Sequence, residues 1–136
     1  MSDSGFSTSA GTASPRAIAF AVSQHSIDEL TSIVAVEGEL DLASAPTLKW
    51  SLTDVLDGGA RRVVVDLSMV TFIDSTALGV LVAVQRHLDP GVRIAIAGAT
   101  GDVLNIFELT GLDATFQMRS TVEEALASVR GATAPG

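Results

Sequence analysis

Residues 61–67 read RRVVVDL, and the three consecutive valines place apolar side chains on both faces of any strand they form. Such a strand belongs in the middle of a sheet that is covered from both sides. The flanking segments supply the cover. VRIAIAG (92–98) is a second buried strand. AIAFAV (17–22) and SIVAVEGEL (32–40) read as a neighbouring antiparallel pair joined by a polar connection, and ATFQMR (114–119) as an edge strand. The stretches between them have helical period. One helix begins with Ser44 as N-cap and Pro46 in its first turn. It gathers Ala45, Leu48, Leu52, Val55 and Leu56 on one face and stops at Gly58-Gly59. The next, DSTALGVLVAVQRHL (74–88), is capped by Asp74 and ended by Asp89-Pro90-Gly91. GDVLNIFELTG (101–111) is a short helix with Gly111 just past its end. Ser120-Thr121-Val122-Glu123 is a capping box that opens a last helix to about Arg130. The order β-β-α-β-α-β-α-β-α predicts an α/β fold, a mixed and mostly parallel sheet flanked by helices.

This patterning occupies residues 16–130 without a linker or repeat, one domain's worth of chain. Residues 1–15 hold five Ser, two Thr and two Gly around a lone large apolar residue, Phe6. They cannot bury enough surface to offset their ordering entropy, so a disordered tail is expected there, and another at 131–136. The formal charge of −8 repels a nucleic-acid backbone and suits basic protein partners. With no Cys and only His25 and His87, neither a thiolate nor a His-rich metal site is expected, and nothing in the chain calls for a cofactor. The apolar run 77–84 is far shorter than the roughly 18 residues of a membrane span. No charged start leads into an apolar stretch, so no secretory signal is expected, and the domain is read as soluble and cytoplasmic.

Chemistry concentrates at VVVDLSMVTFIDSTALGVLVAV (63–84), where Ser75 opens a helix just after a loop leaving a buried strand. Free N–H groups and the positive dipole end favour negative charge at that position, so Ser75 or Thr76 can carry a phosphate. Taken alone, Asp-Ser-Thr at a helix start signifies capping only. The apolarity of 77–84 on all sides indicates cover by another helix or an exposed partner surface. A serine hydrolase is disfavoured: no G-x-S-x-G surrounds Ser75, and His87 lies about 18 Å further along the same helix. There it suits the dipole of the helix end, while His25 is expected in the polar turn. A receiver domain with Asp66 as acyl-phosphate acceptor lacks its cation, because the one Lys, Lys49, falls inside the first helix. Asp66 is better read as a strand-end acid that accepts backbone hydrogen bonds. Glu37, Glu39 and Asp41 read as a solvated rim, and Trp50 as a partly buried rim residue.

GELDLASAPTL (38–48), VVVDLSMVTFIDSTALGVL (63–81) and ELTGLDATFQMRSTVEEAL (108–126) together resemble the STAS-domain anti-anti-sigma factors, in order and spacing. The resemblance covers residues 16–130 and implies a non-enzymatic anti-sigma factor antagonist that is monomeric when free. It places phosphorylation on Ser75 by a cognate anti-sigma factor that is a serine kinase, with a phosphatase to reverse it. It also puts Asp41, Asp74, Ser75, Thr76, Ala77, Leu78 and Gly79 at the partner-binding surface. In the implied cycle the unphosphorylated form binds the anti-sigma factor and frees its sigma factor. The family usually has Gly where this chain has Ala77, and the added methyl is expected to limit how closely a partner backbone approaches. The alternative within this fold is a STAS scaffold, or a subunit of a signalling complex, that is never phosphorylated. Deleting residues 1–14 should leave folding and partner binding nearly unchanged in circular dichroism and titration, because no core pattern is lost. A large loss of binding would make that segment a recognition element.

Overall fold

The computed structural model describes residues 20–130. The two expected tails, and residues 17–19 of the first expected strand, lie outside the described residues. One sheet contains β1 (Ala21–Asp28), β2 (Thr31–Leu40), β3 (Arg62–Ile73), β4 (Arg93–Ala97) and β5 (Gln117–Arg119), in that spatial order. β1 and β2 are antiparallel, and β2 through β5 are mutually parallel. Helices α1 (Ala45–Asp57), α2 (Ser75–Arg86), α3 (Gly101–Leu109) and α5 (Val122–Arg130) alternate with the strands, and α4 (Leu112–Thr115) is a single turn. This is the α/β arrangement that the strand and helix periods call for.

The valine run explains the layers. Val63 and Val65 point into the larger core with Val34, Val36, Ile94 and Ile96, where α1, α2 and α3 deliver Leu48, Leu52, Leu81 and Phe107. Val64 points the other way, toward Ala125 and Val129 of α5. The strand residues beside it on that face are Ala95 and Ala97, both fully buried, and their small side chains let α5 lie close to the sheet. Each large aliphatic group removed from water contributes about 1.5–3 kcal/mol, so β3 is held from both sides. Phe107 and Phe116 close the far end of the larger core edge to face, with centroids 6.2 Å apart.

Several local expectations need correction. The polar connection expected between the first two strands is mostly β1 itself, and only Glu29 and Leu30 turn the chain. β1 is an edge strand with almost no buried side chain, so ladder hydrogen bonds rather than apolar alternation hold it. His25 therefore lies within a strand, opposite Ile33, and is exposed. At the strand's end Asp28 receives Arg130 of α5 at 2.8 Å, which with the Leu30 N–H lowers its pKa to about 2. β3 does not end at Leu67 but continues through Ile73, so the loop expected before Asp74 is strand. Residues 112–115 form α4, leaving only 117–119 of the expected edge strand. Gly111, at φ +77°, makes that turn possible. The last capping box is shifted by one residue: the Glu124 N–H donates to Thr121 Oγ1, and the Ser120 N–H donates to the Glu124 carboxylate. Trp50 is 63% exposed rather than a half-buried rim residue.

The chain leaving β4 passes tightly over β3 at Gly98, whose φ is +77°. A Cβ at Gly98 would stand 2.7 Å from Ser68 Cβ and 3.0 Å from the Ser68 backbone. Gly98→Ala should therefore lower stability by about 1–3 kcal/mol in urea unfolding. An unchanged midpoint would show that this crossing is not a fixed point of the fold.

Candidate functional site

β2 and β3 do not keep step, and that mismatch builds the site. Between Ala35 and Glu37 of β2, β3 advances from Asp66 to Met69; between Gly38 and Glu39 it advances from Val70 to Phe72. These are two β-bulges, each an extra residue on β3, and Val70 and Ile73 beyond them stay in the larger core. Beyond Asp66, β3 pairs with β2 alone, because β4 stops opposite at Ala97. Asp66 is half-buried, and its carboxylate accepts the Ser68 N–H at 3.0 Å.

Asp74 receives the chain where β3 ends and fastens three segments together. Its N–H donates to Leu40 O at 3.0 Å, at the end of β2. Its Oδ1 accepts the Ala77 N–H at 3.0 Å, capping α2. Its Oδ2 accepts the Leu42 N–H at 3.1 Å, from the loop between β2 and α1. That loop is fixed from its other side by Asp41, whose Oδ1 accepts the N–H groups of Ala43 at 3.1 Å and Ser44 at 3.0 Å. These bonds, the Ser44 N–H and hydroxyl foremost, hold the Asp41 carboxyl below its ordinary pKa of 3.8. The stabilisation is complete above pH 3.8 and is lost as pH falls through the lowered value. Ser44 occupies the N-cap position of α1, yet its hydroxyl makes no cap bond. It is buried and donates to Glu39 O at 2.7 Å, while the Asp41 N–H donates to it at 2.8 Å.

On this frame Ser75 is the first residue of α2 and is exposed, as is Thr76. Neither hydroxyl is hydrogen-bonded to another described residue, and their backbone N–H groups have no acceptor among the described residues. A free hydroxyl over two free N–H groups at a positive dipole end suits an attached anion. Asp41, Asp74, Ser75, Thr76 and Gly79 all reach the surface in this region. Ala77 and Leu78 do not: Ala77 is fully buried and Leu78 is 5% exposed. The Ala77 methyl therefore packs into the core and does not stand in the way of a partner, which corrects the expectation from sequence.

Sequence reasoning missed the exposed apolar groups nearby. Leu42, 71% exposed, projects from the loop that Asp74 and Asp41 fix. Phe72 and Met69, also exposed, pair with Glu39 and Glu37 on the sheet face beyond the reach of α5. The signal was present in LSMVTFI (67–73), where Leu67, Val70 and Ile73 are buried at a spacing of three; the bulges create that spacing and hide the strand. The histidines lie elsewhere, with His87 Nδ1 2.7 Å from Ala83 O at the opposite end of α2 and His25 on β1. Among the described residues no group of acidic, His or Cys side chains is arranged to hold a metal, and no helix is long and apolar enough to cross a membrane.

Comparison with known proteins adds four likenesses. The STAS domain family model matches residues 22–125. The anti-sigma-F factor antagonist RsfB of Mycobacterium tuberculosis is 31% identical over 100 residues, 74% of this chain and 82% of that protein. The crystal structure of an anti-sigma factor antagonist from Mycobacterium paratuberculosis superposes with a TM-score of 0.77 at 30% identity, covering 82% of this chain and 95% of that one. The fold is also that of the Bacillus cell fate determinant SpoIIAA in its phosphorylated form, with a TM-score of 0.64 and 21% identity over 81% of this chain and all of that one.

Asp74→Ala should cost about 1–2 kcal/mol in urea unfolding, through loss of the α2 cap and of the Leu42 anchor. Asp74→Asn, which keeps an acceptor oxygen for the cap, should lose less. Equal stability of the Ala variant and the wild type would mean that Asp74 does not join the segments as described.

Proposed function

This chain belongs to the STAS-domain family of anti-sigma factor antagonists, which are non-enzymatic, and on that premise we propose that it is a phosphorylation switch. Unphosphorylated, it binds a cognate anti-sigma factor through the surface around Ser75, and the sigma factor is released. The anti-sigma factor is also the kinase: Ser75 Oγ attacks the γ-phosphorus of ATP, ADP departs, and the hydroxyl proton passes to a base of the kinase. A phosphatase hydrolyses the phosphoserine and restores binding. The protein works in the cytoplasm as a monomer between encounters.

The observation that carries this reading is the state of Ser75. It is an exposed hydroxyl, engaged in no bond to a described residue, at the first position of a helix whose cap is supplied by its neighbour Asp74. Modifying Ser75 leaves that cap in place. A protein of this fold solved in phosphorylated form lends support to the fold's compatibility with such a group.

Magnitudes indicate how one phosphate switches binding. It brings a charge of about −1.5 to −2 beside Asp74. In the free protein the α2 dipole favours that charge by roughly 0.3–1 kcal/mol, so the fold is retained. At an interface the same dianion must shed water against a surface fitted to a neutral hydroxyl, at a cost of about 2–5 kcal/mol. The second effect wins, and affinity falls by roughly thirty-fold to a few thousand-fold at 1.4 kcal/mol per decade.

Co-expression with anti-sigma kinases from the same genome, followed by intact-mass analysis and site mapping, should find one phosphate, on Ser75. Ser75→Ala should take up none and stay bound to the anti-sigma factor, whereas Ser75→Asp should bind more weakly with unchanged circular dichroism. Phosphate on Thr76 would displace the acceptor assignment, and no incorporation with any kinase would leave an unphosphorylated scaffold as the function.

A further inference from the structure

A concavity of about 540 Å³ opens at the end of α2 remote from Ser75, between the C-terminal half of α1 and the turn that leads into β4. Its size is that of a small-molecule site. The floor is aliphatic: Leu56, Val84, Leu88 and Val92 line it, and the chain itself leaves each of them only half-buried. Ionisable groups of both signs stand around that floor, Lys49 and Arg61 against Asp57 and Asp89, with His87 beside them.

Mixed charge crowded on a surface ordinarily resolves into ion pairs. Here none of these groups is ion-paired with another described residue. Two of them are nonetheless held in place. The Arg61 N–H donates to Leu30 O at 2.7 Å and its carbonyl accepts the Arg93 N–H at 2.9 Å, so its backbone is fixed. Its guanidinium donates to Pro90 O at 3.1 Å and lies over Gly91, where a Cβ would stand 2.9 Å from Nη2. That single bond leaves most of the guanidinium donors unused. His87 Nδ1 is 2.7 Å from Ala83 O, which can only accept, so Nδ1 carries the hydrogen and Nε2 is left to accept one.

We propose that this concavity binds a small zwitterion with an aliphatic body, of the amino-acid to dipeptide class. The ligand carboxylate lies toward Lys49 and Arg61, and its ammonium toward Asp57, Asp89 and His87 Nε2. Its aliphatic groups cover Leu56, Val84 and Leu88. Ligands of one sign fit worse. A simple anion meets Asp57, Asp89 and the negative dipole ends of α1 and α2, and a simple cation meets Lys49 and Arg61. Each exposed pairing is weak, so the aliphatic contact supplies most of the affinity and the charges set the orientation. The site lies about 18 Å from Ser75 along α2 and does not depend on the antagonist reading.

The test follows backbone amide shifts of the ¹⁵N-labelled full-length protein by NMR during titration with four probes. These are leucyl-leucine, its N-acetyl form, its C-terminal amide and glycyl-glycine. Leucyl-leucine should give saturable shifts confined to residues 49–61 and 83–92. The acetylated and amidated forms, each lacking one charge, should bind about five-fold or more weakly, and glycyl-glycine more weakly still. Arg61→Gln and Asp57→Asn should each weaken leucyl-leucine binding by about two- to five-fold. Thermal unfolding checks both variants; Asp57 is exposed at a helix end, so its variant keeps the fold even if Arg61→Gln does not. No saturable shift up to about 50 mM, or shifts centred elsewhere, would overturn the site. Equal affinity for the acetylated or amidated form would overturn the zwitterion class, and unaltered binding in both variants would overturn the assigned contacts.

Discussion

Burial of β3 on both faces is the constraint from which the rest of the structure follows. Val63 and Val65 need α1, α2 and α3 on one side, and Val64 needs α5 on the other. With the start of the strand clamped in this way, its continuation past Asp66 runs with only β2 beside it, one face still buried in the larger core through Leu67, Val70 and Ile73. The two bulges lengthen it relative to β2 and bring Asp74 level with Leu40, where one carboxylate can reach both the neighbouring loop and the first turn of α2. Ser75 is left on the surface because Asp74 already performs the capping that a helix start requires. In physical terms the site is a rigid mount carrying one uncommitted hydroxyl.

Rigidity matters for the kind of switch proposed. A loop that rearranged on phosphorylation would spread the effect of the charge over many weak contacts. Here Asp41, Ser44 and Asp74 fix the backbone around the acceptor through their own hydrogen bonds. The charge then appears at one place, on a surface that otherwise offers the exposed Leu42 as an apolar contact. An interface of this kind is sensitive to a single dianion because its apolar area cannot solvate one.

The sequence made the regular parts legible and the irregular ones obscure. Strands with continuous or alternating apolar residues, and helices with Asp74 or Gly58 at their ends, follow directly from period and capping chemistry. β1 was hidden because Ser23 through Ser26 lie on an edge and need no apolar pattern. The end of β3 was hidden because bulges change the period from two to three. Asp74 and Ser75 could be picked out from their place at a helix start. Leu42 and Phe72 could not, since a single sequence does not distinguish an exposed leucine or phenylalanine from a buried one. Ala77 shows the converse: its neighbours suggested surface, and the turn of the helix puts its methyl in the core.

The central claim is that a phosphate on Ser75 acts at the interface and leaves the fold as it is. Its most direct test is paired titration of one anti-sigma factor with the purified authentic phosphoprotein and with its unphosphorylated form, at one salt concentration, with amide hydrogen exchange of both free forms. The account predicts an affinity difference of roughly thirty-fold or more, with matching protection in the free proteins outside the first turn of α2. Equal affinities, or a phosphoprotein whose protection is lost across β3 and α2, would contradict it.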